Sequence, residues 1–156
     1  MGAVKFYHIQ TGTLEDAARQ LITRALAQGW PVMLRGPDWA RLEDLDERFW
    51  LFPEEGFLPH GLEGGPQDAE QPLLLGQGAA VNGARAVMLL SGVAVDPAEA
   101  RAMERIWLLF EAGDPAQVTA ARAEWRAVTA AGLIAEYWSD ETGKWQMKAQ
   151  SDAGSA

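Results

Sequence analysis

The first fifty residues alternate between two kinds of apolar spacing, and no other feature constrains the fold as strongly. VKFYHI, at 4–9, is an apolar and aromatic run of strand length. Thr13 then stands where an N-cap belongs, with Asp16 three residues on. Leu14, Ala17, Ala18, Leu21, Ile22, Ala25 and Leu26 recur at helical spacing until Gly29 stops the run. WPVMLR, at 30–35, reads as a second strand, and Trp39, Leu42, Leu45 and Phe49 mark one face of a second helix ending near Leu51. This β-α-β-α order favours a mostly parallel sheet with helices packed on it, because parallel neighbours need a crossover and a helix supplies one.

The rest of the chain extends that plan. LEGGPQDAEQ, at 62–71, has the glycine, proline and charge of an exposed loop. PLLLG and ARAVMLL are expected to be short strands flanking a glycine-rich connection at 76–83. Asp96 can cap a helical turn through 97–104, and RIWLLFE, at 105–111, is a strand of buried type. Asp114-Pro115 is a helix start, with the acid at N-cap and the proline at N1, and that helix should run to Gly132. LIAEYWSD and KWQMK around Glu141-Thr142-Gly143 suggest a closing β-hairpin, and AQSDAGSA a frayed tail. The expected fold is a single Rossmann-like α/β domain over 1–148: a mostly parallel central sheet flanked by helices, with a C-terminal β-hairpin and a flexible tail over 149–156.

Charge is distributed unevenly. The chain carries −9 overall, yet residues 38–70 hold ten acids against Arg41 and Arg48, leaving 12 acids and 11 bases in the other 123 residues. One surface is therefore expected to be acidic, with cations elsewhere free to recognise an acidic partner. The net charge argues for little direct nucleic-acid binding, because affinity for a phosphate backbone comes mainly from lysine and arginine displacing counterions. With no cysteine there is no disulfide framework and no thiolate nucleophile or metal ligand, which fits a reducing compartment. No export signal or apolar span is legible, so a cytoplasmic location away from membranes is expected.

Catalytic equipment is thin. The two histidines are His8, on the first strand, and His60, after a proline in a loop, and both read first as structural or merely exposed. No metal-ligand or nucleophile motif is present, so no catalytic residue, metal or cofactor is expected. Gly76-Gln77-Gly78 resembles the start of a dinucleotide fingerprint, but the third glycine is missing and a strand follows, which favours a turn. Glu43, Asp44, Asp46 and Glu47 on a helix read as a solvated face rather than a cation site. The alternative kept open is a small Rossmann-like enzyme binding a nucleotide or other small ligand at the ends of the first strands.

Two clusters remain. On the helix from 114 to 131, Arg122, Trp125, Arg126 and Thr129 fall at i, i+3, i+4 and i+7, so two guanidiniums flank an indole. Val118, Ala121 and Val128 form the neighbouring core stripe. One interpretation is a core tryptophan beside ordinary surface charge. The other is a pocket for an acidic peptide with an aromatic end, gripped by arginine forks against an indole face. The second cluster is RFWLFPEEGFLPHGL, at 48–62, where four large aromatics and a histidine sit among carboxylates and must either plug the core or face a partner.

Taken together, FY in the first strand, LDERFW-LFPEEGFLPHGL in the centre and ARAEWRAVTAAGL in the last helix resemble the chi subunit of bacterial DNA polymerase III over most of the chain. That resemblance implies a Rossmann-like accessory of the clamp loader without catalysis of its own. It implies two contacts, one with the acidic C-terminal tail of the single-stranded DNA-binding protein and one with the psi subunit. By position, Arg122 and Arg126 match the basic pocket for the tail, and Trp125 falls where other members can have tyrosine. One turn earlier Val118 stands where a further cation would help, so the site carries fewer charges. The central block matches the family's psi-facing region, with Trp50, Phe57, Pro59 and His60 as its contacts and Phe49 and Phe52 directed to the core.

Overall fold

The computed structural model describes residues 3–51 and 58–151. Phe52 and Phe57, assigned above to core and partner face respectively, lie outside the described residues. Among the described residues, eight strands form one sheet. They are β1 (Ala3–Ile9), β2 (Val32–Arg35), β3 (Gly61–Leu62), β4 (Leu73–Gly76), β5 (Ala86–Leu90), β6 (Arg105–Glu111), β7 (Ile134–Ser139) and β8 (Gln146–Gln150). The helices are α1 (Leu14–Ala27), α2 (Trp39–Leu51), α3 (Pro97–Ala102) and α4 (Pro115–Ala130). The spatial order is β3-β4-β2-β5-β6-β1-β7-β8, every adjacent pair parallel except the closing β7-β8 hairpin.

The caps are built as their sequences dictate. Thr13 accepts from the Asp16 amide, Asp96 from Ala98, and Asp114 from Ala116 and Gln117, so each helix start has side-chain oxygen for amides that have no partner within the helix. Gly29 and Gly132, at φ 82° and 83°, turn the chain out of α1 and α4 in a conformation that side chains with a Cβ avoid.

Alternation along β1 divides the core. Tyr7 and Ile9 join the cluster under α1 and α2, with Leu21, Ile22, Leu42, Leu45 and Phe49. Val4 and Phe6 join the cluster under α3 and α4, with Ala100, Ala121 and Val128. Hydrophobic residues on β2, β4, β5 and β6 are buried almost throughout, as expected for parallel strands covered on both faces.

Some details differ from the sequence-based expectations. Gly61, in the central block, and Leu62, expected to open an exposed loop, add a two-residue edge strand to β4. Trp39, placed on the buried face of α2, sits in its first turn and remains 37% exposed. The hairpin is irregular at Tyr137/Trp138, where Lys148 is the extra residue on the β8 side. The sheet also continues through Gln150, and Ser151 exchanges hydrogen bonds with Ala135.

At the C-terminal edge of the sheet, backbone amides are held by the protein's own carboxylates. Asp140 accepts from the amides of Gln10 at 2.6 Å and Thr11 at 3.2 Å through Oδ1, and from Gly12 at 3.0 Å through Oδ2. Glu63 does the same for the Gly76-Gln77-Gly78 turn, taking the Gln77 amide at 2.6 Å and the Gly78 amide at 3.2 Å. A Cβ on Gly76 would collide with the Glu63 carboxyl group, so glycine here lets that side chain lie against the turn and hold its amides.

Burial alone would raise the Asp140 pKa, but the three amides outweigh it and hold the carboxyl below its ordinary range. A carboxyl depressed on folding stabilises the native state above its unfolded pKa of about 3.9, and that contribution disappears as pH falls through the folded value. Asp140→Ala should therefore cost about 1.5–3 kcal/mol at neutral pH, as expected for hydrogen bonds to a charged group. Thermal melting from pH 7 to pH 3 checks this: the gap between parent and variant should narrow in acid, and an equal gap throughout would assign the loss to packing.

Candidate partner-binding site

A cleft of about 310 Å³ opens between α4 and the β1-β7 part of the sheet. Its floor is aromatic, formed by Phe6 and His8 of β1 and Phe110 of β6, with Tyr137 of β7 beside them. Its helical wall carries Val118, Ala121, Arg122 and Trp125. Ala121 on the wall and Ala149 on β8 are short side chains, and their size leaves the hollow unfilled. Trp125 is half-buried and tilts against Phe6 at a centroid distance of 5.2 Å, while the Arg122 side chain is exposed at the rim. A planar apolar wall beside a guanidinium can take an anionic group attached to an apolar or aromatic one.

Of the three residues expected to form this pocket, Arg122 and Trp125 line it. Arg126 is exposed on α4 but does not line the cleft. Val118, singled out for its missing charge, is part of the wall. The strand residues were not found from the sequence. Alternation places Phe6 and His8 on one face of β1, but Phe110 and Tyr137 join them only because β6 and β7 are the neighbours of β1.

His8 stacks on Phe110 with ring centroids 4.5 Å apart and planes within 10°. Burial holds its imidazole below the ordinary histidine pKa; Asp140 and Glu141 pull the value up and Arg122 pushes it further down. Burial likewise raises the pKa of the Tyr137 hydroxyl, so that group faces the cleft protonated.

The described residues of the central block, 48–51 and 58–62, lie on the opposite face of the sheet, with α1 and α2. Phe49 is buried at 2% exposure, whereas Trp50, one position on and about 100° round the helix, is 46% exposed. His60 lies beneath Trp50, stacked at 4.1 Å, and edge-on to Phe49 at 5.5 Å. Its Nδ1 is 2.6 Å from the Leu58 carbonyl and its Nε2 3.0 Å from the Asp46 carbonyl, so a buried imidazole ties α2 to the returning chain. His60 therefore supports this face from below. Pro59 is half-buried and lines a separate apolar groove of about 560 Å³ with Leu26, Trp30, Pro31, Leu58 and Pro72.

The acids at 43, 44 and 47 are exposed, Asp44 pairs with Arg48 at 2.9 Å, and no cluster of three metal-ligating side chains occurs among the described residues. Nor is any helix of the described residues long and apolar enough to cross a membrane.

The profile of a family described as DNA polymerase III chi subunit, HolC, matches residues 1–136. The chain belongs to that family. A relative named DNA polymerase III subunit chi, from Pseudomonas aeruginosa, is 40% identical over 82 residues, which is 50% of this chain. The chain spans about half of that relative's length, 56%. The chi-family match contains Arg122, Trp125, Arg126 and the central block, but Tyr137 and Ala149 fall beyond its end.

The two halves of the central block should respond differently to truncation. Trp50→Ala should cost about 1 kcal/mol, less than His60→Ala, because 46% of the residue is already in water although its ring stacks on His60. His60→Ala removes the buried imidazole that faces the Leu58 and Asp46 carbonyls and packs on Phe49, and should cost about 2–4 kcal/mol. Chemical denaturation of both variants measures this; equal losses would place Trp50 in the core.

Proposed function

We propose that this chain is a non-catalytic accessory subunit of the DNA polymerase III assembly, joining the clamp loader, through psi, to the acidic C-terminal tail of the single-stranded DNA-binding protein. The observation that carries the tail contact is the cleft itself, where an aromatic floor and the Trp125 wall sit beside the Arg122 guanidinium. Carboxylates of the tail would pair with Arg122, with Arg126 adding long-range attraction from outside, and an apolar end would rest on Phe6 and Trp125. The acidic α2 lies on the other face of the sheet, so its charge does not crowd the cleft. Membership of the chi family supports the same assignment.

The psi contact rests on exposed Trp50 and on the apolar groove that includes Pro59, because interface energy concentrates in a few aromatic and apolar anchors. The enzyme alternative is weakened by the filled amide nests. In a Rossmann-like domain the loops after the strands supply the amides for a phosphate, and here Asp140 and Glu63 already occupy two such loops.

An acidic peptide titrated against the protein should bind with low to middling affinity and weaken sharply with salt, since screening acts within about 10 Å at 0.1 M. Arg122→Ala should weaken binding about tenfold and Arg126→Ala by less; parental binding by Arg122→Ala would remove the peptide from the cleft. Trp50→Ala should reduce capture of psi and the clamp loader while leaving the peptide contact unchanged. Single-stranded DNA alone should be retained feebly near physiological salt in filter binding. Saturable retention without a partner protein would contradict the adaptor role.

A further inference from the structure

His8, which lines the cleft, carries a polar atom that no other described residue uses. Its Nδ1 faces two groups able to donate, the Tyr137 hydroxyl at 2.8 Å and the Gln10 amide nitrogen at 3.0 Å. Nδ1 is thus the acceptor, and the single proton of the neutral ring sits on Nε2. Nε2 is buried and has no hydrogen-bond partner among the described residues. Leaving a buried donor unmet costs the desolvation of that group, and because His8 lines the cleft, a ligand that displaces the side chains covering Nε2 can bring the acceptor it lacks.

We propose that His8 is a specificity-determining residue of the cleft, which meets a carboxylate of the bound acidic peptide through Nε2–H and takes up a proton as it does so. This inference rests on the assignment of the cleft to an acidic peptide. The proton comes from solvent and goes to Nδ1. Nδ1–H then donates to Tyr137 Oη, reversing the direction of that hydrogen bond, and the Gln10 side chain, which is exposed, turns away. Nε2–H donates to the carboxylate throughout.

Every group around the ring has a defined part. Phe110 of β6 supplies an apolar stacking face, and Tyr137 of β7 can donate in one state and accept in the other. From the β7-β8 turn, Asp140 is committed to three amides and Glu141 is paired with Lys148 at 2.7 Å, so neither carboxylate is free to satisfy Nε2. Burial lowers the pKa of the ring in the free protein, Asp140 and Glu141 partly offset this, and Arg122 of α4 adds to the lowering. A carboxylate that docks on Arg122 offsets that opposing charge and adds a negative one beside the imidazole, so the His8 pKa rises on binding. Affinity must then increase as pH falls through the pKa of the complex, and level off below the lower pKa of the free protein.

The test uses a synthetic peptide of several aspartates ending in phenylalanine with a free carboxy terminus. Calorimetric titrations between pH 8 and pH 5.5, each in two buffers of different ionisation enthalpy, report proton uptake while the peptide carboxylates stay ionised. The parent should take up a fraction of a proton and bind up to about tenfold tighter in acid for each unit by which the His8 pKa rises. His8→Leu should bind more weakly than the parent even at pH 8, because it loses the Nε2–H contact, and should lose both effects. NMR titration of the His8 ring in the unsubstituted protein, with and without peptide, supplies a readout independent of that variant and should show the pKa rising. Peptide binding that requires Arg122 but shows no proton uptake and leaves the His8 titration unchanged would overturn the role of His8 alone. No binding at any pH, or binding indifferent to Arg122→Ala, would overturn the cleft assignment and the role of His8 with it.

Discussion

The pairing of β1 with β6 on one side and β7 on the other is the constraint on which the rest of the structure depends. Because β1 is parallel to both neighbours and covered on both faces, its alternate side chains must satisfy two different cores. Tyr7 and Ile9 go to the α1-α2 side, and Val4 and Phe6 to the α4 side. The same alternation brings His8 to the α4 side, where the core ends and the cleft begins. Phe110 and Tyr137 flank it because the parallel register sets His8 opposite Phe110 and Phe6 opposite Tyr137. The floor of the cleft is thus a product of sheet assembly, and the helix adds its charged rim.

Electrostatics then sort what each part of the surface can do. Carboxylates at the C-terminal edge are turned inward onto backbone amides, which removes the loops best suited to phosphate. Those on α2 are left in water, within the segment from 38 to 70 that holds most of the net charge. Arg122 remains at the rim of an apolar hollow, on the opposite side of the sheet from α2. Such separation leaves a chain of net charge −9 with a local cation beside an apolar hollow, which supports the proposed contact with an acidic peptide, while long-range repulsion disfavours a polyanion such as naked DNA.

Much of the fold was legible because its signals are local. Thr13, Asp96 and Asp114 announce helix starts through their own side chains, and the 3.6-residue spacing of Leu42, Leu45 and Phe49 identifies the buried face of α2. That spacing also separates Phe49 from exposed Trp50. The two-residue β3 was not legible, because Gly61-Leu62 becomes a strand only where β4 lies alongside it. Trp39 fits the apolar spacing but lies in the first turn of α2, where packing covers it incompletely. The helical half of the site, Arg122 and Trp125, could be read from spacing and family resemblance. The strand half could not, since it depends on which strands border β1, and periodicity carries no information about strand order. Arg126 shares a helical stripe with Arg122, yet the cleft takes in only the earlier arginine, a distinction set by where α4 crosses β6 and β7.

The opposite side of the sheet supplies a demanding control. There Arg24 and Arg105 line a second hollow with Trp30 and Trp138, so cations and indoles occur together away from the cleft. Mapping peptide-induced shifts of backbone and indole NMR signals distinguishes the two places in one experiment. An acidic peptide should perturb Phe6, His8, Arg122, Trp125 and Tyr137 in a saturable manner and leave Arg24, Trp30 and Arg105 unmoved. Saturable perturbations centred on Arg24, Trp30 and Arg105, with the α4 cleft silent, would contradict the account.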